Sequence, residues 1–320
     1  MNIDALKIFD RDFLTAHFAP ALFLLLSGWA LLEIGGASPA WLKIKATEPL
    51  QNTLVVAAIT WVLAMLFHAL NREIYRSAEG YWPWNSQTNL SGSERRRFNA
   101  LRARIQLLEK AEDASAEGLP AKYDIGLNNL LRQIVAEFPS REDLVLPTRF
   151  GNAVRAYEDY PRVMYGFESI QGWSRLEVMM SKEFRELLGG NRALTTMWLN
   201  LSLVFSLLAI EAVCVAIWSK PLVFCFAPIF AAAVYLVYRR AVSAALREGE
   251  VVKAAFDVYL PDLAKKLGVE LSNDPKINRK FWQAFSQGMV YREREALADI
   301  HGLGLTRRTA QTPTGAKTDA

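Results

Sequence analysis

Four long stretches that are almost free of charge constrain this chain more than any other feature. Phe13 to Leu32, Leu50 to Leu70, Thr195 to Ser219 and Pro221 to Tyr238 hold between them a single Asp, Glu, Lys or Arg, which is Glu211. A helix rises ~1.5 Å per residue, so roughly 20 apolar residues cross a hydrocarbon core of about 30 Å. The runs are near that length and come in two close pairs. They predict an all-α integral membrane protein with four transmembrane helices in two hairpins, spanning about residues 13–32, 50–70, 195–218 and 221–238.

The polar remainder sets the rest of the plan. A first transmembrane hairpin (1–70) is followed by a helical domain (71–194), a second hairpin (195–240), a helical tail (241–304) and a polar, aperiodic C-terminus (305–320) that reads as disordered. The first run is followed by Gly35-Gly36-Ala37-Ser38, as a cleaved signal peptide would be. The apolar run is too long for one, however, and Asp4, Asp10 and Asp12 outnumber Lys7 and Arg11 before it, so a retained helix is expected.

Orientation follows from Lys and Arg near the helix ends, which are retained on the cytoplasmic side. Arg72, Arg76, Arg95, Arg96 and Arg97 follow the second run, Lys182, Arg185 and Arg192 precede the third, and Arg239, Arg240 and Arg247 follow the fourth. The other side carries only Lys43, Lys45 and Lys220. Both termini, the helical domain and the tail are therefore expected in the cytoplasm. Trp29, Trp41 and Trp218 fall near the outer boundary, where an aromatic belt would sit.

Charge is otherwise balanced. Residues 71–194 carry 18 Lys or Arg against 17 Asp or Glu, and residues 239–320 carry 14 against 10. Neither segment has the concentrated basic patch of a nucleic-acid binder, so no nucleic-acid partner is expected. The two cysteines, Cys214 and Cys225, lie inside the third and fourth runs, which excludes a disulfide framework or a Cys-rich zinc site. They flank the Ser219-Lys220 turn at similar distances and could face each other across it.

In the helical domain, Phe98, Leu101, Ile105 and Leu108 form one face of a helix over 94–114 capped by Ser93. Leu127, Leu130, Leu131, Ile134, Val135 and Phe138 form a second face ended by Pro139, and the two should pack as a hairpin. In the tail, residues 251–267 read as a helix bent or broken by Pro261, and 275–299 as another.

Signatures of catalysis and cofactor binding are missing: there is no Gly-rich phosphate loop, His-Glu-x-x-His or Gly-x-Ser-x-Gly. The histidines are His17, His68 and His301, and no short-spaced ligand pair among them suggests a metal. No cofactor is expected.

Two groups of residues remain as candidate sites. The first is Leu146-Pro147-Thr148-Arg149-Phe150-Gly151-Asn152, in which Thr148 can cap a helix running to Tyr160. Arg149, Asn152 and Arg155 would then stand near free backbone N–H groups able to hold an anion such as a lipid phosphate; the alternative is a capped surface helix. The second lies within the bilayer. Glu211 costs about 2.5–3.5 kcal/mol near a helix centre even on permissive scales, so it must face protein or water or be protonated. Asn200 and Thr196 fall on nearly the same face of the third run. An ion or proton path is one reading of this face, and a hydrogen-bonded seam between helices is the other, favoured one.

Together with Ala254-Ala255-Phe256-Asp257-Val258-Tyr259, the Leu146–Asn152 segment and the residues after it resemble uncharacterised multi-pass membrane proteins of bacteria. The resemblance implies a bacterial inner-membrane setting and carries no activity with it.

The resulting expectation is a non-enzymatic inner-membrane protein whose cytoplasmic helical domain binds an unidentified protein partner or senses a signal at the bilayer surface. A homo-oligomeric channel with Glu211 and Asn200 on its path is the alternative. The third reading is a lipid-modifying enzyme using Arg149 with Glu158 and Asp159.

Overall fold

Among the described residues every regular element is a helix. The structure, a computed structural model, describes residues 10–37, 49–82, 90–113 and 121–291, and no strand occurs among them. The outer connection with Lys43 and Lys45, His301 and the stretch from 305 lie outside the described residues. In chain order the helices are α1 (Arg11–Gly35), α2 (Pro49–Ala69), α3 (Asn71–Glu79), α4 (Gly92–Asp113), α5 (Ala121–Glu137), α6 (Arg149–Tyr165), α7 (Ser169–Met179), α8 (Lys182–Trp218), α9 (Phe226–Lys266) and α10 (Pro275–Tyr291). Short 3-10 turns cover Glu142–Leu144 and Pro221–Cys225.

Four of these elements are long and apolar enough to cross a membrane: α1, α2, α8, and α9 with the 3-10 turn before it. They coincide with the four uncharged runs. Two of them continue well past the apolar part, because nothing in the sequence stops them. The residues between Lys182 and Leu194 are good helix formers apart from a Gly pair, so α8 starts a long way before the third run. In α9, Pro261 removes one N–H bond to the carbonyl of Asp257, yet the 41-residue helix runs on to Lys266. It is neither broken nor ended there, and it joins the fourth run to the tail helix expected at 251–267.

The described residues fall into two compact units: those of Met1–Arg155 with Glu186–Gly249, and those of Ala156–Arg185 with Glu250–Ala320. In the first, all four apolar elements meet in one core of Ala21, Leu31, Ala64, Phe67, Val204, Leu208, Ala212, Val215, Val223 and Ala227. Helices α1 and α8 lie side by side and run in the same direction. His17 meets Asn200, Gly28 meets Glu211, and Gly35 meets Val215 and Ser219, so the register holds over the length of α1. Gly35 lets the helices touch: a Cβ there would lie 2.2 Å from Val215 Cγ1. Cys214 is half-buried, Cys225 is exposed, and both thiols are free.

The same unit holds the α4–α5 pair, whose small core is Phe98, Phe138 and Val145 with Leu101 and Ile134. Both stripes read from the sequence contribute to it. The second unit is built on aromatics. Phe167, Phe256, Phe281 and Trp282 are almost fully buried, with Trp173 and Phe285 against them. Gly172 makes room for the Phe167 ring, whose edge would lie 2.1 Å from a Cβ at that position.

Candidate functional site: a polar chain between membrane helices

The most developed polar constellation starts from a proline. Pro20 has no N–H to offer the carbonyl of Ala16 four residues back, and its ring crowds that carbonyl. Helix α1 widens there into a π-helical turn, Leu14–Phe18, closed by the Ala19 N–H on the Leu14 carbonyl. Such turns recur at functional positions. Asn200 of α8, fully buried, donates from Nδ2 to the Ala16 carbonyl at 2.7 Å and approaches His17 Nδ1 at 3.1 Å. His17 Nε2 in turn lies 3.4 Å from Nδ1 of His68 on the last turn of α2.

Hydrogen-bond roles along this chain are fixed at one end. A carbonyl oxygen only accepts, so the amide group facing Ala16 is Nδ2, and His17 Nδ1 must accept from it as well. The His17 proton is then on Nε2 and is given to His68 Nδ1, which leaves the His68 proton on Nε2. Both rings are neutral in this arrangement. Aromatic side chains surround them: Phe13 is 5.5 Å from His17 and 5.9 Å from His68, and it stacks on Trp61. Asn200 Oδ1 is buried without a hydrogen-bond partner.

One turn before Asn200, Thr196 is buried with its hydroxyl 3.1 Å from that of Tyr75 on α3. Burial, with the Glu248 carboxylate nearby as a second cause, holds the Tyr75 hydroxyl far above its usual range. Glu248 is 2% exposed, accepts from Arg192 Nε at 3.3 Å through Oε1, and has no hydrogen-bond partner at Oε2. Glu211 stands apart from this group. Eleven residues separate it from Asn200, or about 16 Å along the helix. Its half-buried carboxylate packs on Gly28, where a Cβ would lie 2.9 Å from Oε2. Thr196 and Asn200 thus belong to one cluster, while Glu211 occupies a separate notch.

The Leu146–Asn152 segment is used up in local structure. Thr148 Oγ1 accepts from the Gly151 N–H at 2.9 Å, as a cap should, and donates to the Ala78 carbonyl at 2.7 Å. The Phe150 N–H is taken by the Tyr238 hydroxyl. Asn152, fully buried, closes the turn on itself, accepting from the Leu146 N–H at 2.7 Å and donating to the Leu146 carbonyl at 3.1 Å. Gly151 is required because a Cβ would lie 2.3 Å from the Glu79 carbonyl oxygen. Arg149 Nε lies 3.7 Å from Glu94, which also pairs with Arg97, and Arg155 is half-buried. The first-turn amides of Phe150 and Gly151 are therefore turned to partners within the chain.

In the second unit the Asp257 carboxylate accepts from two phenols, Tyr160 at 2.8 Å and Tyr165 at 2.6 Å. Partial burial, followed by the bond to Asp257 and its charge, pushes the Tyr160 hydroxyl up to about 12 and that of Tyr165 further in the same direction. The same unit holds a cleft of about 570 Å³ lined by Arg162, Glu168, Gln171, Gln283, Gln287 and Tyr291, among others. Arg162 holds Asp159 through two bonds of 3.0 and 2.6 Å.

Sequence reasoning found Asn200 and Thr196 but missed their partners. The available signal was Pro20 beside His17 inside an uncharged run, since a mid-span proline leaves a carbonyl that some donor must satisfy. Among the described residues, no group of three or more His, Cys, Asp or Glu side chains converges as a metal site. No family model, curated protein or solved structure matches the chain.

Proposed function

We propose that this is a non-enzymatic protein of the bacterial inner membrane, held by four spans, whose cytoplasmic helical part binds a protein partner or senses a signal at the bilayer surface. The observation that carries the reading is the surface of the α4–α5 pair. Its core is small, and outside it Leu107, Ile125 and Val135 are 69%, 61% and 58% exposed. These helices carry too much charge to enter a bilayer, so apolar side chains left on them favour contact with another protein. Inside the apolar layer, Asn200 and Thr196 are spent on contacts between helices, which supports a structural rather than a conducting role for them.

A second reading, a homo-oligomeric channel, is favoured by Glu211 alone, a carboxylate at depth that is only half-buried. Two measurements on the full chain separate the readings. Cross-linking in the native membrane followed by mass spectrometry should trap a specific protein on α4–α5, and Leu107→Asp with Val135→Asp should abolish that product while the protein still inserts. Ion flux through liposomes holding only the purified protein would instead establish the channel.

A further inference from the structure

The Asn200–His17–His68 chain has one hydrogen in each of its two nitrogen–nitrogen gaps. A proton added to His17 Nδ1 would face the Asn200 N–H across 3.1 Å, and one added to His68 Nδ1 would face the His17 N–H across 3.4 Å. No proton enters without a bond breaking. A metal is disfavoured for the same reason: a cation between the rings needs a bare His17 Nε2 and hence an Nδ1–H, which would meet the Asn200 donor head-on.

The chain does have a second arrangement available. Asn200 Oδ1 is buried and lacks a partner. Turning the amide over would present Oδ1 to a protonated His17, converting the clash into a charge-assisted bond. The same turn sets Oδ1 against the Ala16 carbonyl, where Nδ2 now lies at 2.7 Å, and two oxygens cannot bond there. Pro20 ensures that no N–H in the usual helical position replaces the lost donor. A protonated His17 held by Asn200 Oδ1 and the Asn200–Ala16 bond are therefore mutually exclusive.

We infer that the His17–His68 pair is a proton-binding site, and that taking up one proton releases Asn200 from Ala16 and so loosens the start of α1 from α8. His68 gives the proton a way in, because it is exposed at the end of α2 while His17 is buried. The other titratable and charged groups near the pair lie against neighbours of their own. On α1, Asp12 points at Gly189 of α8; on α3, Tyr75 meets Thr196; further along α8, Arg192 pairs with Glu248 of α9; α2 contributes Trp61 beside His68 itself. Proton binding here is independent of whether the α4–α5 surface holds a partner.

The test is nuclear magnetic resonance on the full-length protein in lipid nanodiscs, with ¹⁵N-labelled His and Asn side chains, titrated from about pH 8 to pH 5, the range in which imidazoles ordinarily charge. His68→Gln and His301→Gln assign the ring signals. At the alkaline end both His17 and His68 should show the Nε2–H tautomer. On acidification the Asn200 side-chain amide should move in the same transition as the ring pair. His68→Gln, which keeps an acceptor for the His17 N–H, should displace the midpoint of that transition. An Nδ1–H tautomer at His17, an Asn200 amide that stays still while the rings charge, rings that stay neutral throughout, or an unmoved midpoint in His68→Gln would each overturn the proposal.

Discussion

Replacing Asn200 by Leu keeps the branching and the number of heavy atoms and removes both donors from the seam between α1 and α8. Two bonds disappear, of 2.7 and 3.1 Å, both between buried groups. Hydrogen bonds between membrane helices average about 0.6 kcal/mol each and reach about 1.7, which gives about 1 kcal/mol for the pair. The Ala16 carbonyl is then left unsatisfied in an apolar layer, because Pro20 cannot supply the missing N–H, and an orphaned buried acceptor costs about 1–3 kcal/mol. Loss of the unpartnered Asn200 Oδ1 offsets part of this. The net expectation is a loss of about 1–3 kcal/mol, with α1 separating from α8 first. Equilibrium unfolding by steric trapping in micelles, with one trap on α1 and one on α8, measures it. Thr60→Val is the control: Thr60 is as deeply buried, but its hydroxyl bonds only to the Val56 carbonyl of its own helix, so its removal should be nearly neutral. An Asn200→Leu protein as stable as wild type, or an equal loss in both variants, would refute this expectation.

Three further outcomes follow from the packing and the phenol pair. Gly35→Ala forces a methyl to within 2.2 Å of Val215 Cγ1, and such overpacking typically costs about 1–3 kcal/mol, so the same steric-trap assay should show a loss comparable with Asn200→Leu. Asn152→Ala opens the turn at Leu146 and strands both of its backbone groups; limited proteolysis should then cut near residues 140–148, where wild type resists. Tyr160 and Tyr165 have raised values in the folded state, so their bonds to Asp257 stabilise fully below the ordinary phenol value near pH ~10 and are lost as pH rises through about 12. Ultraviolet titration should show Tyr160 and Tyr165 among the late-ionising phenols, which also include Tyr75, and Asp257→Asn should bring Tyr160 and Tyr165 forward; phenols that all ionise together near the ordinary value would contradict the contact.

The parts of this fold that were legible in the sequence are those whose signal is local. An uncharged run long enough to cross a bilayer announces itself in Leu50 to Leu70 without reference to anything else, and the stripe from Phe98 to Leu108 names its buried face by spacing alone. The helix ends were less legible, since α8 and α9 extend past their apolar parts and Pro261 costs α9 a bond without ending it. Least legible were contacts whose two halves are far apart in the chain. Asn200 could be picked out as a polar residue needing a partner, but that its partners are Ala16 and His17 depends on a register between α1 and α8 that no local pattern encodes. Asp257 and its two tyrosines belong to the same class. For Arg149 and Asn152 the cap at Thr148 was readable, whereas the inward turn of Asn152 onto Leu146 was not.

The proposed arrangement puts four helices of this chain in a membrane and its polar helices on the cytoplasmic face. Single cysteines at Ser140 and Ser272, in a background lacking Cys214 and Cys225, test it most directly, because both positions lie in polar segments on either side of the second pair of spans. An impermeant thiol reagent should leave both unlabelled in intact cells and label both after the membrane is opened. Labelling of either one in intact cells would contradict the account.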